Sequence, residues 1–413
     1  MSLRALIHSR LKSGKSLVIK AFFASIPRSI PAFIPESMGV TLIGYHHADF
    51  GLGQALRYAA KALEKVCFPF AVRKLDPKLQ GISQINRAMD PYLVPYCSYP
   101  INCLVINPDL LYKLPTWIAY SEWTRRYNIG YWFWELANFP QEWRYAIPLV
   151  DEIWVNTEFN AQAMAQAHSR VIKIPFGLEF NSPDPKFTRA YFDLPRSDFL
   201  FLVTFDFNSL VTRKNPTGAI KAFLTAFSPM QQDVFLIIKS MNGHLHSTAY
   251  ENLKLHARHD PRIIFIDQSM STDEARGLLQ CADCYVSLHR SEGLGLGMAE
   301  SMYLGKPVIA TAYSGNLEFM NNSNACLVDF TEISVAPEEY PHAQNQVWAD
   351  PNLQTAALGM QKIFSNEAYR NSLGINAQLY IQEHHSLEVM GSAMAKRFQE
   401  IEHSIAQVKK PGA

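Results

Sequence analysis

From Val40 onward, short apolar runs alternate with longer amphipathic stretches, and this rhythm restricts the fold more than any other feature. Runs that are apolar on both faces suit strands covered by helices on both sides, the arrangement of a parallel sheet. Residues 40–45, 103–106, 128–133, 152–156 and 171–175 read as strands, with helical stretches at 54–66, 140–150 and 158–168. Residues 181–198 then break the rhythm. Pro183, Pro185 and Pro195 stand there among Asp184, Asp193 and Asp198, the composition of a linker. Strands resume at 199–205, 234–239, 262–266, 284–288 and 307–311, and helices at 216–227, 272–281 and 297–304. The polar, proline-containing stretch 332–349 reads as loop, and helices follow at 352–364, 367–382 and 386–408.

The expected fold is therefore α/β: two Rossmann-like doubly wound domains facing each other across a cleft. The expected divisions are a lead-in at 1–38, domains at 39–180 and 199–385 around the linker 181–198, and a C-terminal helix and tail at 386–413. At 413 residues the chain has the length for two cores, and its 48% hydrophobic content excludes a disordered protein. A net charge of +1 gives no reason to expect a nucleic-acid partner.

Local charge is less even. No acidic residue precedes Glu36, whereas Arg4, Arg10, Lys12, Lys15, Lys20 and Arg28 interleave with apolar residues. This basic stretch, residues 1–35, has three readings: an amphipathic segment resting on an anionic membrane surface, a lead-in helix packed on the next domain, or a loose terminus. Lys20 interrupts the apolar run 16–26, against a signal peptide, and no stretch is long and apolar enough to span a bilayer. The expected location is cytoplasmic, with contact at the inner face of the membrane under the first reading. The six cysteines are scattered, which suits reduced, buried thiols. Cys281 and Cys284 have redox spacing but lack a second pair for a zinc site. His46 and His47 lie near Asp49, but adjacent strand residues point to opposite faces, so no metal is expected.

The segment from His289 to Glu300 carries the most chemistry. It follows a strand and opens a helix. Gly293, Gly295 and Gly297 let the backbone approach a ligand, and the first helical turn presents amides to a phosphate. Glu292 and Glu300 are two acceptors suited to hydroxyls. A glycine-rich turn without a ligand is the competing reading. The spacing is not the G-x-G-x-x-G of dinucleotide-binding oxidoreductases.

This segment resembles the paired-glutamate motif of retaining glycosyltransferases of family 4. The resemblance continues through Gly305-Lys-Pro307 and through Tyr313-Ser314-Gly315-Asn316-Leu-Glu318. It implies that Glu292 contacts the donor sugar and Glu300 the nucleotide ribose, with Ser314 and Gly315 lining the donor site. The stretch Phe205-Asp-Phe-Asn208 to Arg213-Lys214 resembles the family's diphosphate-binding segment, and Arg213 and Lys214 together suit a leaving diphosphate. Asp206 to Asn208 stand where the family often has an earlier arginine. Gly51-Leu-Gly53 resembles the family's N-terminal glycine loop. The aromatic segment with Trp134 and Glu135 resembles one found in a subset of these enzymes, which makes both acceptor-side candidates.

The implied function is transfer of a sugar from a nucleotide diphosphate sugar to a hydroxyl of a glycan, lipid-linked glycan or polysaccharide, with retention. No Asp-x-Asp motif occurs, so neither a metal nor another cofactor is expected. A sugar-nucleotide epimerase and a non-catalytic sugar-nucleotide-binding scaffold are the alternatives.

Overall fold

The computed structural model describes residues 38–48, 50–75 and 86–408. The basic stretch 1–35 and Asp49 lie outside them. The chain forms two compact units: Met1–Phe133, Asn138–Gly177 and Ser386–Ala413 make the first, Trp134–Ala137 and Leu178–His385 the second.

The first unit holds strands β1 (Val40–Gly44), β2 (Phe70–Arg73), β3 (Leu93–Val94), β4 (Ile101–Val105), β5 (Tyr127–Tyr131), β6 (Glu152–Val155) and β7 (Val171–Lys173). They form one sheet in the order β3-β2-β1-β4-β5-β6-β7, with every neighbouring pair parallel. All five residues of β1 and of β4 are buried, as strands covered on both faces must be. The helix Gly51–Lys65 turns Leu56, Ala59, Ala60 and Leu63 inward.

The C-terminal helix Leu387–Val408, set apart as a tail in the sequence reading, belongs to this unit. A Cβ on Gly391 would lie 2.1 Å from the Ala62 carbonyl oxygen, so the helix meets Gly51–Lys65 at backbone distance. Arg397 bonds the buried Glu152 at 2.6 Å, and the Phe398 ring lies 4.9 Å from Trp154 and 5.3 Å from Phe68. One expected helix is corrected: Gln141–Leu149 is a 3-10 segment, with Pro148 inside it to deny regular α bonding.

The second unit repeats the pattern with β8 (Phe199–Asp206), β9 (Val234–Met241), β10 (Ile263–Asp267), β11 (Cys284–Ser287), β12 (Val308–Thr311) and β13 (Cys326–Val328). The order is β10-β9-β8-β11-β12-β13, again parallel throughout. Local sequence starts its helices cleanly. Pro216 occupies the first turn of Pro216–Ala226, and the Asn215 side chain accepts from the Gly218 amide at 3.0 Å. Ser271 and Glu274 form a capping box at the start of Thr272–Cys281.

Residues 181–198, expected as a linker, pack as part of this unit: Arg189 donates to the carbonyls of Asp198 and Cys281 and pairs with Asp283 at 2.7 Å. The expected loop 332–349 is corrected at both ends. Antiparallel strands β14 (Phe330–Ser334) and β15 (Val347–Pro351) pair Glu332 with Ala349, and only the residues between them are irregular.

Candidate functional site

In each sheet one neighbouring pair of strands sends the chain away in opposite directions, and ligands bind beyond the carboxyl ends of such a pair. In the second unit that pair is β8 and β11. Arg213 and Lys214 follow β8, and Glu292 follows β11. The structure brings all three together.

Glu292 is 6% exposed. Its Oε1 lies 3.1 Å from Arg213 Nη1 and 2.5 Å from Lys214 Nζ. Burial would raise this carboxyl, but Arg213 and then Lys214 outweigh it and hold it at about 2. Burial likewise opposes the charge of Arg213, yet Glu292, Glu135 and Tyr340 raise its pKa above the usual guanidinium value. Lys214 is pulled below its ordinary value by burial, against the pull of Glu292. Arg213 also donates to the Ser291 carbonyl at 2.9 Å, while its Nε is buried without a partner among the described residues.

The loop around Glu292 is fixed through its backbone. Its amide donates to Ser314 Oγ at 2.8 Å, and its carbonyl accepts from the Gly315 amide at 2.9 Å. A Cβ on Gly315 would stand 2.1 Å from the Gly293 carbonyl oxygen, so only glycine allows this approach. Ser314 holds φ 75°, a strained value for a residue with a side chain. Gly295 is left-handed at φ 91° and opens the helix Leu296–Tyr303 with no side-chain cap. The amides of Met298 and Ala299 already donate to the Gly295 carbonyl, so those of Leu296 and Gly297 at the very start of the helix are the ones offered to a ligand. Gly297 lets the helix lie against β11, since a Cβ there would meet the Tyr285 hydroxyl at 2.7 Å.

Other candidates are placed differently. Glu300 is the fifth residue of the helix Leu296–Tyr303 and pairs at 3.0 Å with Arg276, whose guanidinium covers the Phe180 ring at 3.9 Å. Asn208 bonds His246 at 2.9 Å, and its amide caps onto Asp206. Trp134 is 3% exposed and packs against Tyr340 and His342, which leaves little indole face for stacking on a sugar. In the first unit a Cβ on Gly53 would lie 2.1 Å from the Ala48 carbonyl oxygen, so this glycine closes a tight turn, whereas Gly51 faces open space.

Sequence reasoning missed two residues of this site. Tyr340, between β14 and β15, donates to Glu135 Oε2 at 2.8 Å, and Arg213 lies 5.9 Å over its ring. Ser291 is fully buried and its hydroxyl donates to the Glu135 carbonyl. Among the described residues, no group of three or more acidic, histidine or cysteine side chains is arranged to hold a metal.

The profile of the family described as glycosyl transferases group 1 matches residues 202–380. The second unit belongs to that family. The GT-B fold of solved glycosyltransferases accounts for the two parallel sheets. The chain resembles Anabaena HepE, solved in complex with UDP and glucose, at a TM-score of 0.65 and 14% identity over 88% of this chain and 100% of that one. Sucrose-phosphate synthase from Thermosynechococcus elongatus gives 0.63 and 15% over 89% and 100%. A Rickettsia africae glycosyltransferase gives 0.64 and 13% over 91% and 100%. No curated protein sequence matches the chain. Arg213, Lys214 and Glu292, which follow β8 and β11, all lie within the matched residues. No described helix is long and apolar enough to cross a membrane.

Proposed function

We propose that this chain moves a sugar from a nucleotide diphosphate sugar to a hydroxyl of a glycan, lipid-linked glycan or polysaccharide, with retention at the anomeric carbon. The observation that carries the reading is the convergence of Arg213 and Lys214 on Glu292 beyond β8 and β11. Departure of a diphosphate builds negative charge, and a buried arginine and a half-buried lysine already in place stabilise it without reorganisation. Glu292 keeps both cations gathered before the donor arrives. Once the diphosphate takes them, the carboxylate is released toward the sugar hydroxyls. Amides at the start of Leu296–Tyr303 add partial positive charge. Glu300, held by Arg276, is the acceptor for ribose hydroxyls.

This arrangement meets the diphosphate with side chains and backbone dipoles in place of a divalent metal, so transfer is expected to persist in EDTA. UDP-sugars are the first donors to try, because Anabaena HepE was solved with UDP and glucose. Thermal stabilisation by a nucleotide diphosphate, weakened in Arg213→Ala and Glu300→Ala, supports the reading. Stabilisation by no sugar nucleotide would leave a scaffold protein. The anomeric configuration of the product, read by NMR, tests retention. The basic stretch before Glu36 supports a membrane-linked acceptor, which sedimentation with anionic liposomes tests by comparing the chain with and without residues 1–35.

A further inference from the structure

The site holds two carboxylates with different remaining capacity. Glu292 is ionised and buried against two cations, which makes it a poor proton acceptor. Glu135 is half-buried and acts on Arg213 at electrostatic range, but among the described residues no lysine or arginine is close enough to make an ion pair with it. Its carbonyl is fixed by Ser291 and its Oε2 by Tyr340, whereas Oε1 takes no hydrogen bond from a described residue. Tyr340 in turn is held between the Trp134 ring at 5.8 Å and the Trp348 ring at 6.3 Å, with Arg213 over its face. Burial, and then Glu135, raises the pKa of its hydroxyl, so it remains a donor at any physiological pH. A carboxylate gripped through one oxygen by an invariable donor, with the other open beside the diphosphate cations, is placed as a base.

Building on the transfer reading above, we propose that Glu135 takes the proton of the attacking acceptor hydroxyl and that Tyr340 is the positioning residue that holds it. The acceptor oxygen bonds to the anomeric carbon on the face that the diphosphate leaves, as retention in one step requires, while the bond from that carbon to the diphosphate oxygen breaks. The electron pair leaves with the diphosphate, whose charge Arg213 and Lys214 meet, and the hydroxyl proton passes to Glu135 Oε1. The hairpin of β14 and β15 thereby acquires a role, since it delivers Tyr340 to Glu135 across 205 positions of sequence.

The test measures turnover, donor affinity and melting temperature of Glu135→Gln, Glu135→Ala and Tyr340→Phe with a sugar nucleotide and an acceptor that the unmodified chain uses. Glu135→Gln is expected to lower turnover by about 100-fold or more. Tyr340→Phe, which keeps the ring and removes only the hydroxyl, is expected to lower it about tenfold, the scale of one lost hydrogen bond to a charged group. Donor affinity should stay unchanged in both. Formate, a small carboxylate base, should restore turnover to Glu135→Ala and leave Tyr340→Phe as it was. Should Glu135→Gln fail to fold, Tyr340→Phe decides the matter. Full turnover in either of these two variants, or a loss that lies wholly in donor affinity, overturns the proposal while the transferase reading stands. Absence of any transfer by the unmodified chain would overturn both.

Discussion

Glu122 in the first unit and Glu292 in the second are both buried beside arginine, and both carboxyls sit at about 2. Their remaining capacity differs. Arg73 grips both oxygens of Glu122, Nε to Oε2 at 2.9 Å and Nη2 to Oε1 at 3.1 Å. The amides of Cys97 and Ala119 fill further directions at 2.7 and 3.0 Å. Glu292 instead receives both cations on Oε1, leaving Oε2 without a described donor and Arg213 Nε without an acceptor. A depressed pKa therefore does not separate a structural carboxylate from a functional one. Unspent hydrogen-bonding capacity does, because a closed set of partners has nothing to offer a ligand.

The sharpest way to break this contrast is to remove each arginine. Arg213→Ala should cut turnover about 100-fold to 1,000-fold, measured as nucleotide release, since it takes away a preorganised donor to the leaving group. If Arg73→Ala did the same to folded protein, the two carboxylates would have the same role and the contrast would fail. Next in size is stability. Glu122→Gln, which leaves Arg73 buried without its counter-ion, should cost about 3 kcal/mol or more, or roughly 6–12 °C in melting temperature. Turnover per folded molecule should not change.

Acid titration sharpens the same point. Because both folded carboxyls lie below the ordinary 4.5, their stabilisation is complete above pH 4.5 and is lost as pH falls toward 2. Glu122→Gln should flatten the fall in unfolding free energy across that window, as followed by urea titration at several pH values. The smallest effect belongs to Ser314→Gly. Relief of φ strain, about 1 kcal/mol, offsets the lost hydroxyl contacts, so melting should shift by only a few degrees. Donor affinity should still fall, because Oγ no longer accepts from the Glu292 amide. An unchanged affinity would mean that Gly315 alone holds the loop.

Both parallel sheets were legible in the sequence because buried central strands such as β1, β4, β8 and β11 must be apolar on both faces. The edges were not. Leu93–Val94 has only two residues in its ladder, too few to show a period, and Phe330–Ser334 alternates too little to stand out from its polar surroundings. In the site, Arg213, Lys214 and Glu292 could be placed together on paper, since each lies within eight residues of the end of a central strand. Tyr340 could not, because its partner is far away in the chain and the intervening fold alone decides that they meet. The pairing of Glu300 with Arg276 was hidden for a similar reason: each lies on its own helix, and their facing sides follow from helix packing. Trp134 misled in the opposite direction, since an indole in an aromatic run looks the same whether it is presented or buried.

The return of Leu387–Val408 to the first unit has a consequence for synthesis. The strands of that unit are finished by Val171–Lys173, yet the helix that covers Glu152, Trp154 and Phe68 leaves the ribosome about 200 residues later. At ordinary elongation rates of about 5–20 residues per second, the half-built unit waits roughly 10–40 s with an apolar face uncovered. The second unit is contiguous apart from Trp134–Ala137 and can fold first, although it is made later. Pulse-labelled chains stalled just before residue 386 should therefore bind chaperones through their amino-terminal half.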